Sequence, residues 1–110
     1  MEFHFHSPAE HTVDGFQYGA ELHLVHRRKD RADLTVLGVF FDPIWGEESE
    51  AASDFIESLQ LEDMGKAKLQ VSMKNFMESL SEENFFHYSG SLTTPPCSEG
   101  VNWFVYLEPR

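Results

Sequence analysis

The sequence has few basic residues, a single cysteine and no long apolar run. Its 110 residues carry 8 Lys and Arg against 19 Asp and Glu, a formal net charge of −11 at pH 7. Because nucleic-acid binding needs Lys and Arg to neutralise phosphates, this balance argues against such a function and disfavours docking on anionic membranes. No apolar stretch approaches the roughly 20 residues of a membrane-spanning helix, and Met1-Glu2-Phe3 does not begin a signal peptide.

The composition fits one globular domain. Hydrophobic residues make up 41% and charged residues 25%, and ten Phe, three Tyr and two Trp offer large rings for a core. The lone cysteine, Cys97, is in general most often a free buried thiol, and by itself it does not indicate the redox compartment.

Three strands are predicted in the first part of the chain. Residues 3–6 alternate Phe-His-Phe-His with a period of two, residues 16–27 interleave apolar with polar side chains, and residues 34–41 form a nearly continuous apolar run. Asp14-Gly15 predicts a tight turn. The charged run 27–31 favours a solvated turn, which would join the second and third strands into an antiparallel hairpin.

The second part of the chain is less regular. Residues 47–60 combine helix formers with early acidic residues and predict a helix, whereas residues 61–84 are mixed and polar. Residues 88–91 and 93–96 are rich in Ser, Thr, Gly and Pro and predict a loop, with His87 also assigned to it. A last strand is expected over residues 101–107.

The spacing of His4 and His6 indicates a possible metal site. Residues two apart on a strand lie on one side, about 6–7 Å apart, so that both imidazoles can reach one ion. The alternative is a pair of solvent-facing histidines on an edge strand. Glu21 and His23 share a face by the same period, and His23 on a neighbouring strand would complete three ligands.

Three neutral ligands with a vacant fourth position are typical of a catalytic zinc, since structural zinc sites are usually closed by four. No cysteine lies near these histidines in sequence, which disfavours a Cys-rich structural site. His26 has the opposite parity to His23 and is interpreted as a core or interface histidine.

Four motifs occur in a fixed order: His-x-His, Glu-His-Thr, Glu-x-His-x-Val-His and Ser-Leu-Thr-Thr-Pro-Pro. The segments that contain them, together with LTVLGVFF, resemble the alpha-class carbonic anhydrases over most of the chain, apart from residues 42–84. The resemblance implies a mainly β fold with short helices. Its central sheet would be twisted, largely antiparallel and incomplete at both ends, within a single partial domain over residues 1–110.

The resemblance also implies roles for individual residues. Zinc would be held by His4, His6 and His23, and Thr93 would accept a hydrogen bond from a zinc-bound hydroxide while Glu10 orients Thr93. Without the resemblance, Thr93 would be interpreted as a plain turn residue before Pro95. The residues that would support the ligands through hydrogen bonds are Glu21, Glu2, His11 and Tyr88. The residues that would border the substrate are Thr94, Val25, Val36, Leu92, Val101 and Trp103.

The implied activity is reversible hydration of carbon dioxide to bicarbonate and a proton, with sulfonamides as expected inhibitors. Zinc lowers the pKa of bound water to about 7, and neutral histidine ligands leave the metal its full charge. An uncharged substrate suits an apolar wall. A non-catalytic binding or matrix module, or an inactive fragment of an active enzyme, remains an alternative.

The chain departs from the family pattern at several points. Glu2 stands where the family commonly has a glutamine, and the region that normally supplies the proton-shuttle histidine has no counterpart. Cys97 matches one half of a disulfide found in secreted members, which predicts an extracellular or periplasmic parent protein. Strands expected at both ends of the sheet are absent, so that exposed strand edges would favour aggregation.

Overall fold

The computed structural model describes residues 1–42, 44, 50–58 and 73–110. Five strands and two helices follow one another within these ranges. In chain order they are β1 (Glu2–His6), β2 (Ala20–Arg27), β3 (Leu34–Phe41), α1 (Glu50–Ser58), α2 (Lys74–Leu80), β4 (Phe85–Ser91) and β5 (Glu99–Tyr106).

The strands form one twisted mixed sheet in the order β1-β2-β3-β5-β4. The pairs β1–β2, β2–β3 and β4–β5 are antiparallel, and β3–β5 is parallel. The antiparallel hairpin predicted for the second and third strands is confirmed, and so is a largely antiparallel sheet. The parallel pair requires a crossover, which the chain makes through the segment that contains both helices.

The two faces of the sheet carry separate apolar clusters, because alternate residues of each strand point to opposite sides. One face packs against the helices through residues that include Leu22, Leu24, Val39, Phe76 and Leu80. The other face carries His4, His6 and His23 and a second apolar cluster: Ala9, Leu34, Val36, Phe40, Val101, Trp103 and Val105.

The second strand is shorter than the sequence predicts. It begins at Ala20 instead of residue 16, because the Asp14-Gly15 turn pairs the flanking residues with each other. Val13 and Phe16 exchange backbone hydrogen bonds of 3.0 and 2.9 Å. The carboxylate of Asp42 then accepts a hydrogen bond from the backbone N–H of Gly19 at 3.1 Å, which fixes the approach to β2.

The prediction of a loop over residues 88–91 is wrong. These residues belong to β4, which pairs with β5 from Phe85 to Ser91 and places Tyr88 directly opposite Trp103. His87 lies on this strand as well, and its ring stacks on Phe104 with centroids 4.5 Å apart.

Further differences concern the helices and Cys97. The predicted helix over residues 47–60 is present as α1, with residues 47–49 and 59–60 outside the described part. Helix α2 was not expected from the polar stretch 61–84, although it buries Phe76 and Leu80. Cys97 is exposed, contrary to the general expectation for a lone cysteine. No helix in the described ranges has the length and apolar character needed to cross a membrane.

The packing of the helices on the sheet predicts that two phenylalanines contribute differently to the free energy of unfolding. Phe76 on α2 is 1% exposed, whereas Phe86 on β4 is 61% exposed. We expect Phe76→Ala to lower the free energy of unfolding by about 3–5 kcal/mol, through lost burial and a residual cavity. Phe86→Ala, the matched control, should change it by less than about 0.5 kcal/mol. Urea unfolding of both variants checks this, and equal losses would contradict the packing of α2 on the sheet.

Candidate metal centre

The register between β1 and β2 brings the predicted ligands to one face of the sheet. His4 lies directly opposite His23, and His6 directly opposite Glu21. Directly opposed residues of an antiparallel pair point to the same side with Cβ atoms about 4.5–5.5 Å apart. The period-two argument from sequence therefore holds for the positions of all four residues.

Glu21 is the centre of this face and is fully buried, with 0% exposure. Its Oε2 accepts the backbone N–H groups of Glu10 and His11, both at 2.9 Å. Its Oε1 accepts ring N–H groups from His11 Nδ1 at 2.6 Å and from His23 Nε2 at 2.8 Å. A carboxylate has about four acceptor sites, so that Glu21 is fully satisfied despite its burial.

The hydrogen bonds also govern the pKa of Glu21. Burial alone raises the pKa of a carboxyl group, but the side-chain hydrogen bonds from His11 and His23 and the backbone hydrogen bond from His11 outweigh it. The pKa of Glu21 is consequently held well below its ordinary range. Glu21 is therefore ionised at neutral pH and can act only as an acceptor.

An ionised Glu21 fixes the tautomers of two histidines. Since the carboxylate only accepts, Nε2 of His23 is the nitrogen that donates to it, so that Nδ1 is the nitrogen that can bind a metal. His11 donates from Nδ1 to Glu21 and accepts at Nε2 from the hydroxyl of Tyr88. Burial and the charge of Glu21 raise the pKa of Tyr88, which keeps that hydroxyl protonated as a donor.

Gly38 on β3 leaves the space that the Glu21 carboxylate occupies. Gly38 is the Cα partner of His23, two residues before Phe40, the partner of Glu21. A Cβ atom at residue 38 would lie 2.8 Å from Oε1 of Glu21 and 3.6 Å from Val105. The absence of a side chain there is thus a requirement of the hydrogen-bonded carboxylate.

His6 and His23 approach each other closely, with ring centroids 4.4 Å apart. Glu10 joins them: its carboxylate is 3.2 Å from Nδ1 of His6 and 3.9 Å from Nδ1 of His23. Potential ligand atoms of these three residues lie within 4.8 Å of one another, as do those of His11, Glu21 and His23. Burial and the neighbouring His23 lower the pKa of His6, which favours the neutral form that binds metals.

His4 lines the same pocket but belongs to neither of these compact groups. Its side chain is 58% exposed, and its Nε2 is 3.9 Å from the carboxylate of Glu2. His6, on the same edge strand, has a side chain only 24% exposed, because its ring packs against His23 and lies beside Glu10.

Thr93 and Thr94 lie on the loop between β4 and β5. The loop is closed by backbone hydrogen bonds from Leu92 to Ser98 at 2.9 Å and from Cys97 to Thr94 at 2.8 Å. Both threonines line the histidine pocket, a cavity of about 240 Å³. Glu10 and Thr93 share an adjoining cleft of about 730 Å³, but no hydrogen bond joins them within the described residues.

The five apolar positions assigned to a substrate wall divide into two groups. Val25 and Leu92 line the histidine pocket. Val36, Val101 and Trp103 belong to the buried cluster on this face of the sheet. The indole of Trp103 packs edge-on against His23 and His11, with centroids 4.8 and 4.9 Å away, and donates to the carbonyl of Ser91 at 3.0 Å.

Two residues of the pocket were not predicted from the sequence to belong to the site. Leu34 and Arg27 line it together with the histidines. Both were assigned to other features, Leu34 to a central strand and Arg27 to a charged turn. The parity of β2 was the available signal for Arg27, because this residue is two positions beyond Val25 and four beyond His23.

The whole chain, residues 1–110, matches the family model described as eukaryotic-type carbonic anhydrase. A carbonic anhydrase of Nostoc sp. is 42% identical over 118 residues, which cover 99% of this chain and 40% of that protein. The structure of an alpha-carbonic anhydrase from Thermovibrio ammonificans, in complex with the inhibitor sulfanilamide, superposes with a TM-score of 0.71 at 41% identity. That match covers 97% of this chain and 46% of the other.

A more distant structural neighbour is dioscorin, determined in complex with ascorbate. It has a TM-score of 0.74 at 26% identity and covers 97% of this chain and 44% of the dioscorin chain. The chain thus spans less than half the length of each of these relatives.

The contact between Gly38 and Glu21 predicts that Gly38→Ala is destabilising. The added methyl group must displace a carboxylate held by four hydrogen bonds, and we expect a loss of about 1–3 kcal/mol in the free energy of unfolding. Urea unfolding in a double-mutant cycle with Glu21→Asp, which retracts the carboxylate, should show a favourable coupling between the two changes. A Gly38→Ala variant as stable as the parent would contradict the fixed position of Glu21.

Proposed function

This chain belongs to the eukaryotic-type carbonic anhydrase family, and we propose that the gene product containing it is a zinc enzyme. The reaction we assign to it is the reversible hydration of carbon dioxide to bicarbonate and a proton. The observation that carries the proposal is the buried Glu21–His23 pair. It commits Nε2 of His23 to Glu21 and leaves Nδ1 as the nitrogen available to a metal next to His6, on the face that also carries His4.

The donor set fits zinc. His23 offers Nδ1, His6 has a lowered pKa that favours its neutral form, and His4 stands directly across the strand pair from His23. Imidazole nitrogens are common zinc ligands, and a three-histidine set leaves a fourth position for chemistry. Glu10, close to both His6 and His23, is the alternative oxygen donor of the same face.

Zinc held by His4, His6 and His23 would supply a Lewis acid that lowers the pKa of water to about 7. Residues of the chain determine which ring nitrogens next to the zinc carry a proton. Glu21 keeps the proton of His23 on Nε2, and His11 and Tyr88 hold Glu21 in turn. Metal-bound histidines generally depend on such partners for orientation and basicity.

The remaining walls of the pocket fit a small neutral substrate and an anionic product. Val25, Leu34 and Leu92 form its apolar side, which suits carbon dioxide. The hydroxyl groups of Thr93 and Thr94 border the same pocket and can hydrogen-bond the oxygens of bicarbonate. We assign Thr93 and Glu10 the orienting role in the reaction; Glu10 also contacts His6, at 3.2 Å from its Nδ1.

A second candidate function is a non-catalytic binding module. The structural likeness to dioscorin, a protein determined in complex with ascorbate, favours this alternative. The two functions differ in what they require of the metal ligands. An enzyme needs zinc for turnover, whereas a binding module can retain its ligand without zinc.

The first test compares two histidines of β2 that point to opposite faces. His23→Ala should remove stoichiometric zinc and abolish carbon dioxide hydration, because it deletes a ligand. His26→Ala is the matched control and should keep both the zinc and the hydration activity. His26 lies on the opposite face of β2, and its Nδ1 donates to the carbonyl of Leu24. Zinc content by atomic emission and hydration by stopped flow, in the gene product that contains this chain, are the measurements.

The outcomes separate the candidates. Zinc binding with no sulfonamide-sensitive hydration in the parent protein would contradict the enzymatic function and leave the binding module. Loss of zinc in His26→Ala to the same extent as in His23→Ala would contradict the assigned face.

Glu21→Gln tests the role of the buried carboxylate in metal binding. The amide keeps the shape of the side chain, but it removes the charge that fixes His23 in its zinc-binding tautomer. We expect zinc affinity to fall about 10- to 100-fold, as measured by competition with a chromophoric chelator. Glu82→Gln, a change of equal charge on the polar segment after α2, should leave the affinity unchanged. Unaltered affinity in Glu21→Gln would remove Glu21 from the account of the site.

A further inference from the structure

Arg27 lies on the same face of β2 as the metal-site residues. The alternation of the strand puts Glu21, His23, Val25 and Arg27 on one side. Arg27 lines the pocket of about 240 Å³ that His4, His6 and His23 also line. Arg27 is four positions beyond His23 along the strand, about 13 Å between Cα atoms at the usual rise, so that it borders the pocket away from the metal ligands.

The charge of Arg27 stands out among the pocket residues. Besides the histidines, the described lining consists of apolar and hydroxyl side chains together with one acidic residue, Glu2, and one basic residue, Arg27. Glu2 is on β1, opposite Val25, and is 3.9 Å from the imidazole of His4. Arg27 is thus the one Arg or Lys among the described pocket residues, in a chain of net charge −11.

The neighbouring arginine is engaged differently. Arg28 makes a two-pronged ion pair with Asp30, at 3.0 Å from Nε and 2.8 Å from Nη2. Arg27, the residue immediately before Arg28, has no ion-pair partner within the described residues. Its donors are therefore available to a ligand, while those of Arg28 are already taken.

We propose that Arg27 forms an anion subsite at the mouth of the pocket that binds a carboxylate group. The planar guanidinium presents a fork of N–H donors that matches a carboxylate in two-pronged geometry. The inference rests on the proposed function, in which bicarbonate is the carboxylate-bearing ligand that enters or leaves. The subsite acts on the anion alone, since carbon dioxide carries no charge for Arg27 to attract.

A pair of inhibitors that differ in one charge tests the subsite. 4-Carboxybenzenesulfonamide and its neutral carboxamide analogue, 4-sulfamoylbenzamide, share a metal-binding head and differ in the tail. Their dissociation constants are measured by isothermal titration calorimetry on the gene product that contains this chain, and on Arg27→Gln, Arg27→Lys and Arg28→Gln variants. Arg28→Gln is the matched control, because it removes the same charge one residue away.

In the parent protein we expect the carboxylate tail to be favoured over the carboxamide tail. Arg27→Gln should reduce this preference about two- to fivefold, the effect of one partly exposed charge pair, with the carboxamide affinity unchanged. Arg27→Lys should retain part of the preference and Arg28→Gln all of it. Raising the ionic strength should weaken the preference in the parent, as expected of an exposed charge pair.

Two results would overturn the proposal and leave the proposed function intact. One is an equal preference in the parent and in Arg27→Gln. The other is a parallel loss of affinity for both tails, which would make Arg27 a structural residue of the pocket. Failure of both sulfonamides to bind the parent protein would contradict the zinc site itself, and with it the subsite.

Discussion

The candidate site depends on one buried carboxylate. Glu21 is fully enclosed, and an ionised group in such a place is tolerated only when its acceptor sites are filled. Two backbone N–H groups and two imidazole N–H groups fill them. Because the donors come from β2 itself and from the segment after β1, the same hydrogen bonds tie this segment to the sheet and fix the chemical state of His23.

The surroundings of Glu21 follow from this constraint. Gly38 leaves room for the carboxylate, and Trp103 packs against both imidazoles that donate to it. Tyr88 holds the far nitrogen of His11, so that the chain of hydrogen bonds runs from β4 across to β2. Residues outside the proposed set of metal ligands thus determine which nitrogen of His23 is available. Arg27 extends the same strand face to the edge of the pocket.

Much of this arrangement could be predicted from the sequence, because strand parity is a local property. The alternation of β1 and β2 placed His4, His6, Glu21 and His23 on one face, and the register confirms that placement. The family and its sheet architecture were also identified correctly from the motifs. Roles of individual residues in catalysis stay predictions, as does export of the parent protein.

Other features depended on contacts that a local pattern does not contain. Residues 88–91 have the composition of a loop but form a strand because β5 supplies partners for them. Helix α2 has only two buried apolar residues, too few for a helical period to stand out against a polar stretch. The approach of Glu10 to His6 depends on how residues 7–10 turn away from β1, which no spacing rule predicts.

The central claim is that Glu21 presents His23 to zinc through Nδ1. A crystal structure of the zinc-loaded gene product, with the metal located by anomalous diffraction at the zinc edge, tests it most directly. The account predicts zinc at about 2.0–2.1 Å from Nδ1 of His23 and from one nitrogen each of His4 and His6, with Nε2 of His23 still bonded to Glu21. Zinc bound to Nε2 of His23, or to the carboxylate of Glu21 together with His11, would contradict it.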